Sequence, residues 1–454
     1  MNLELIRMFS LGLALAAMVV SNGYSKPQSA AETEAVHKSG IKYITFDFNL
    51  LAREEAEEYL ARLKEALGEN PQGTGKMYGF GMCVPQLLTQ SIGEMNELVN
   101  QGFDLAIKYD VPVFFHCDYM YDITDKNGGG APNFYEDPMM CEWVGFPKEG
   151  EAHGRVPRLW FNWGSWQARG AMPCYESPKF KTFISKQFSE GIAAPIAART
   201  EQLKALGAEY LFAGVSVGWE THIQELTPPI YNIDPENPPR FVDDPSIVMQ
   251  DWEMSQTGYA ALHWLGWNEK KLAEEQRIRG VTRKELMFGL LGQVTHDYME
   301  NIAKLASEAG IPKDKAFTHI VAIDTVENRN TPYIPPIWAG VNDYSVPGFT
   351  LSMGSGAVYD LDVLKKSIRE VDPSQDSFAC LEGYVNHLHG YDKFKGFIDE
   401  LESNGATLIN ILGWTEPTGS PYCVEPAGEE IKAVRDWIST PIGSEIETKY
   451  RENG

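Results

Sequence analysis

The chain has 454 residues, 43% of them hydrophobic, with 39 Lys plus Arg against 63 Asp plus Glu. That size and apolar content supply one large core or two ordinary ones and exclude a disordered or fibrous chain. The formal charge of −24 repels nucleic acid and anionic membrane, although a local basic pocket for an anionic ligand survives the global sign.

Residues 1–25 carry a lone Arg7, an apolar run from Met8 to Val20 and then SNGYS. This is the shape of a secretory signal peptide, too short for a membrane span. No Cys follows the run to anchor a lipid, and no later segment is apolar for long enough to cross a bilayer. The expectation is a secreted or periplasmic protein with its main domain at 26–440 and a tail at 441–454.

From there a β-rich run, a loop and a helical pattern recur eight times. The strand candidates are YITFDFNL (43–50), KMYGFGMC (76–83), VPVFFHCD (111–118), YLFAGVSVGWE (210–220), THIVAID (318–324), GFTLSM (348–353), SFACLEG (377–383) and TLINILGW (407–414). Helical stripes lie between them: Ala56, Leu60, Leu63 and Leu67, then Leu286 through Leu305, Phe394 through Leu401, and Ile431, Val434 and Ile438. Eight βα units predict an α/β fold of the (β/α)₈ TIM-barrel type, with a doubly wound open sheet as the competitor. Two gaps, 119–209 and 221–317, exceed the repeat and predict long loops after strands three and four, on the face where barrel enzymes keep their sites.

Six cysteines do not make a disulfide scaffold. Cys83, Cys117 and Cys380 fall on strand patterns as buried thiols. Cys141, Cys174 and Cys423 lie in loop-like sequence, where a bridge such as Cys141 to Cys174 is compatible with an oxidising compartment.

The motif GVSVG at 214–218 matches the Gly-x-Ser-x-Gly elbow of serine hydrolases. An elbow needs a helix to begin at once, and WETHIQELTPP does not supply one. Strand alternation gives the serine a quieter role. With Glu220 facing the axis, Phe212, Gly214, Ser216 and Gly218 share its side, and Ala213, Val215 and Val217 face the helices. The same alternation points Thr45, Asp47 and Asn49 inward on the first strand, Phe114, His116 and Asp118 on the third, Phe378, Cys380 and Glu382 on the seventh, and Asn410, Leu412 and Trp414 on the eighth.

Glu220 and Glu382 thus stand at the mouth after the fourth and seventh strands, on opposite sides of the ring. Opposed carboxylates are the equipment of glycoside cleavage, one protonating the leaving oxygen and the other attacking the anomeric carbon. On these residues the chain resembles the clan A retaining glycoside hydrolases, (β/α)₈ barrels whose acid/base Glu ends the fourth strand and whose nucleophile Glu ends the seventh. Trp414 resembles the tryptophan that floors the first sugar subsite in that clan, and GYAALHWLGWNEKKLAEEQR (258–277) is similar to an insertion of its β-galactosidase-like members. Trp219 stands where the clan usually has Asn, which marks a divergent member.

The resemblance implies a glycoside hydrolase with Glu220 and Glu382 catalytic and a carbohydrate substrate. It implies no cofactor and no metal. The candidate sugar-binding residues are His116, Asp118, Trp219, Trp414 and Glu416, joined by Asn162 within RLWFNWGSW and by Asp324. Two readings from other classes stay open: a metal-dependent barrel hydrolase using His and Asp at strand ends, with His387 and His389 among its candidates, and a barrel that binds carbohydrate without cleaving it.

Overall fold

The computed structural model describes residues 40–48, 53–71, 73–82, 87–88, 90–117, 137–156, 159–162, 166–169, 172–218, 221–223, 257–321, 335–352, 360–384, 388–412 and 428–442. The expected signal segment and the tail from 443 lie outside these residues.

Eight strands run in parallel around one ring: Lys42–Phe48, Lys76–Met82, Val113–Phe115, Phe212–Ser216, a fifth in two pieces (Ala316–Phe317 and Ile320–Val321), Gly348–Ser352, Phe378–Tyr384 and Ala406–Leu412. Each pairs with its neighbours in sequence, and the eighth returns to the first through Tyr43↔Leu408 to Asp47↔Leu412. The first piece of the fifth strand pairs with the fourth (Val215↔Ala316) and the second with the sixth (Ile320↔Phe349), so the ring closes through it. A doubly wound sheet leaves its outer strands unpaired, and this arrangement is the (β/α)₈ barrel.

Helices Arg53–Leu67, Ile92–Tyr109, Pro178–Leu206, Arg283–Glu308, Leu361–Val371, Tyr391–Ser403 and Glu429–Ser439 pack outside. The third continues through a wider π turn at Ser189–Ala193. The crossover after the fifth strand carries one short turn, Ile337–Gly340, among its described residues. Local sequence sets several ends: Ser91 with Glu94, and Thr282 with Glu285, form reciprocal capping boxes that satisfy the first amides of their helices. Each long gap includes its unit's own helix, so the insertions proper shorten to about 119–177 and 221–282. The first holds a hairpin, Leu159–Asn162 with Trp166–Arg169, and the second two helices, Tyr259–Trp264 and Glu269–Arg279.

The apolar residues divide into a large shell between strands and helices and a small plug on the axis. The plug contains Tyr43, Met77, Phe114, Ala213, Phe317, Ala379, Leu381 and Leu408. Later along the strands the interior turns polar: Asp47, His116, Ser216, His319, Thr350, Glu382 and Asn410 are all buried. That places the polar layer toward the C-terminal face.

Alternation holds on strands one, three and eight, where Ile44, Phe46, Val113, Phe115, Ile409 and Ile411 join the outer shell. It fails on strands four and seven. On the fourth, Phe212 packs outward, its ring 5.7 Å from that of Phe103, and Ala213 faces the axis. The register steps from Val113↔Phe212 to Phe114↔Gly214, and Gly214 absorbs the extra residue at φ 145. On the seventh, Phe378 and Cys380 join the outer shell, while Ala379 and Leu381 join the axial plug. There the register steps from Cys380↔Phe349 to Glu382↔Thr350, so Leu381 and then Glu382 both reach the interior. A bulge inserts one residue and resets the side-chain parity beyond it, which a strict period of two cannot foresee.

Cys141 and Cys174, between which the sequence left a bridge open, are both buried free thiols. The Cys174 thiol instead donates to the buried carboxyl of Glu142. Cys117 and Cys380 are buried free thiols on their strands, as expected, and Cys83 and Cys423 lie outside the described residues.

Candidate active site

The polar layer is organised around one hydrogen-bonded chain crossing five strands. Asp47 Oδ2 lies 2.6 Å from His116 Nδ1, and His116 Nε2 lies 3.2 Å from His319 Nδ1. His319 Nε2 is 2.9 Å from Thr350 Oγ1, and that hydroxyl is 3.4 Å from Glu382 Oε2. The chain nearly closes on itself, because Glu382 Oε1 stands 3.9 Å from His116 Nε2.

Asn410 braces the start of the chain. Its amide nitrogen donates to Asp47 Oδ2 (3.1 Å) and to the Leu381 carbonyl (2.9 Å) at the bulge, and its oxygen accepts from Thr45 Oγ1 (2.6 Å). The second strand contributes no side chain here: a Cβ on Gly81 would stand 2.6 Å from Asn410 Oδ1 and 2.9 Å from Asp47 Oδ1. Glycine is therefore required for the Asp47–Asn410 pair to fit. Asp47 Oδ1 is buried and accepts no hydrogen bond among the described residues, an open acceptor of the kind that a substrate hydroxyl or a water fills.

Proton positions follow from this geometry. Asp47 fixes a proton on His116 Nδ1. With His116 neutral, His319 Nδ1–H donates to His116 Nε2, and His319 Nε2 accepts from the Thr350 hydroxyl. With His116 charged, each donor reverses and the Thr350 hydroxyl turns to Glu382. Burial, and next the neighbouring His116, hold His319 well below the usual histidine range, so its imidazole is neutral at neutral pH.

Of the residues expected from sequence, Glu382 and His116 are buried in this layer and meet there. His116 directs both ring nitrogens to protein partners. Glu220, Asp118, Trp219, Trp414, Glu416 and Asp324 lie outside the described residues, as does the side chain of Asn162, whose backbone ends the first strand of the hairpin. Ser216 is buried with its Oγ accepting from the Cys117 amide at 2.8 Å, the structural role that alternation gave it. His389 is exposed and faces Glu430 at 3.7 Å, next to Gly390, which precedes the helix Tyr391–Ser403. His387 lies outside the described residues.

Sequence reasoning passed over His319 and Thr350. Alternation held their signal: Ile320 faces the shell, as do Phe349 and Leu351, so the residues beside them face the axis.

Among solved structures, the chain is similar to the catalytic domain of a β-amylase from Paenibacillus polymyxa, at 10% identity and a TM-score of 0.47 over 88% of this chain and 98% of that one. It is also similar to a β-mannanase from a symbiotic protist of the termite Reticulitermes speratus, crystallised with gluco-manno-oligosaccharide, at 11% identity and a TM-score of 0.35 over 92% and 93%. No family model matches the chain, and no curated protein does. The barrel assignment rests on the strand pairing itself.

Proposed function

We propose that this protein is a secreted glycoside hydrolase that cleaves an O-glycosidic bond in an oligo- or polysaccharide by the retaining mechanism, with Glu382 as nucleophile and Glu220 as acid/base. The observation that carries the reading is the setting of Glu382. It is a buried carboxyl group late on the seventh strand, reached through a bulge and, with His116 charged, steadied by Thr350 and by His116, which Asp47 holds in turn.

Such a carboxylate has the fixed aim a nucleophile needs, because its neighbours define one orientation before substrate arrives. Glu220, which follows the fourth strand in sequence, is the proposed donor of the proton to the leaving oxygen. In the retaining geometry the two carboxyl groups stand about 5 to 5.5 Å apart, leaving no room for a water between sugar and nucleophile. Asp47 Oδ1 is an acceptor for a sugar hydroxyl. Asp118, Trp219, Trp414, Glu416, Asn162 and Asp324 form the proposed sugar-binding wall, and His116 serves it from beneath by orienting Glu382.

The test is turnover of aryl glycosides. Glu382→Ala is expected to lose at least about 10³-fold in kcat, and azide is expected to restore turnover as a glycosyl azide of inverted configuration. Glu220→Ala is expected to lose less with an activated leaving group and to be rescued with retained configuration. Full activity in both variants would end this reading, as would an inverted product from the wild type.

A further inference from the structure

We propose that His116 Nε2, His319 Nδ1 and Glu382 Oε1 form a binding site for one divalent transition metal of the zinc class, and that its occupancy switches the glycosidase off.

The three atoms come from the third, fifth and seventh strands and all lie within 4.8 Å of one another, on side chains that are buried. Two of the spacings are 3.2 Å (His116 to His319) and 3.9 Å (His116 to Glu382). Ligands about 2.0 to 2.1 Å from a tetrahedral zinc stand roughly 3.3 Å apart, so the two histidine nitrogens are already at ligand spacing and the Glu382 carboxylate has to close in by about half an ångström to one and a half.

The surrounding hydrogen bonds complete the argument. A metal takes the lone pairs of His116 Nε2 and His319 Nδ1, replacing the single proton those two nitrogens otherwise share. The outer protons then fall into one consistent order: His116 Nδ1–H donates to Asp47, His319 Nε2–H donates to Thr350 Oγ1, and the Thr350 hydroxyl donates to Glu382 Oε2. Both ring nitrogens that face away from the ion thus have a partner, one of them a carboxylate, which is the arrangement that orients histidine ligands and raises their basicity. The ion also offsets the charge of two carboxylates, Asp47 and Glu382, held out of water in one layer. Two imidazoles and one carboxylate suit zinc, cobalt and copper rather than magnesium or calcium, and three protein ligands leave a position open for water.

The inhibitory consequence rests on the glycosidase reading, since Oε1 bound to the ion is withdrawn from attack. The site itself does not. Stripped full-length protein is titrated with Co(II), read by its visible d–d absorption, and with Zn(II), read by calorimetry. One ion per chain is expected, with affinity falling at least about hundredfold in His319→Gln and in Glu382→Gln. Absence of binding, or unchanged binding in folded His319→Gln, overturns the site. Should the variants fail to fold, pulsed EPR of the Cu(II)-loaded wild type decides by counting coordinated imidazoles: two support the site, and one or none overturns it. Zinc is expected to abolish aryl-glycoside turnover and a chelator to restore it. Stoichiometric binding with turnover unaffected by zinc overturns the switch, and binding that activates overturns the nucleophile assignment while the site stands.

Discussion

Glu142 is a carboxyl group sealed between the two insertions. It sits in the segment after the third strand and accepts from the amides of Ala260 (3.2 Å) and Ala261 (3.3 Å), opening the short helix Tyr259–Trp264 that follows the fourth. Burial pushes its pKa up from 4.5 to about 7, against the pull of the Cys174 thiol and three main-chain amides. A folded pKa above the unfolded one means that the native state holds the proton longer. The contribution is therefore fully present below about 4.5 and is lost as pH rises through about 7, a change of order 3 kcal/mol. Glu142→Gln is expected to raise the melting temperature at pH 8, to change it little at pH 5, and to flatten the profile between, as calorimetry at the two pH values will show. Nothing in the sequence around Glu142 distinguishes it from a surface glutamate. Its burial is decided by a helix more than a hundred positions away.

At the scale of the element, the bulges on the fourth and seventh strands matter most. Each resets which residues face the axis, and the one on the seventh strand comes just before Glu382. The shift on the fourth strand needs Gly214: its φ of 145 is unavailable to other residues at low cost, and a Cβ would stand 2.4 Å from the Phe317 ring and 2.8 Å from the Lys315 carbonyl. Gly214→Ala is expected to cost about 2 to 4 kcal/mol, measured as a lower denaturant midpoint with unchanged slope, from strain and overlap together. The helices were the more legible elements. Ala56, Leu60, Leu63 and Leu67 are buried as one stripe, and Phe394, Phe397, Ile398 and Leu401 as another. A helix's apolar period is unaffected by what it packs against, whereas a strand's period breaks wherever one extra residue enters the ladder.

At the scale of the whole molecule, the closed ring is tied at the end opposite the polar layer by a charge cluster that no local pattern announces. Lys76 is buried on the second strand, and its Nζ bonds Glu402 Oε2 at 2.7 Å. Lys42 on the first strand reaches Oε1 at 3.2 Å, and the Trp437 indole donates to Oε2 at 2.6 Å. Burial opposes the Glu402 charge, but the hydrogen bonds and charges of Lys76 and Lys42 outweigh it and hold the carboxyl below its ordinary range. Its contribution is present above the unfolded carboxylate pKa and is lost as pH falls through the lower folded value, opposite in sign to that of Glu142. Glu402→Ala leaves Lys76 buried without its counterion and is expected to cost about 3 to 5 kcal/mol, read from urea unfolding at neutral pH.

The sequence by itself determined the eight parallel strands, the apolar stripes of the helices and the inward aim of Asp47, His116 and Asn410. All of these depend on local periods of 3.6 and 2.0. Only the tertiary structure decided the closure of the ring through a divided fifth strand, the inward turn of Leu381 and Glu382 at the bulge, the free state of Cys141 and Cys174, and the meeting of His116 with His319 and Glu382. Those features depend on which strands lie side by side and in what register, and contacts between residues hundreds of positions apart leave no period in the chain to read.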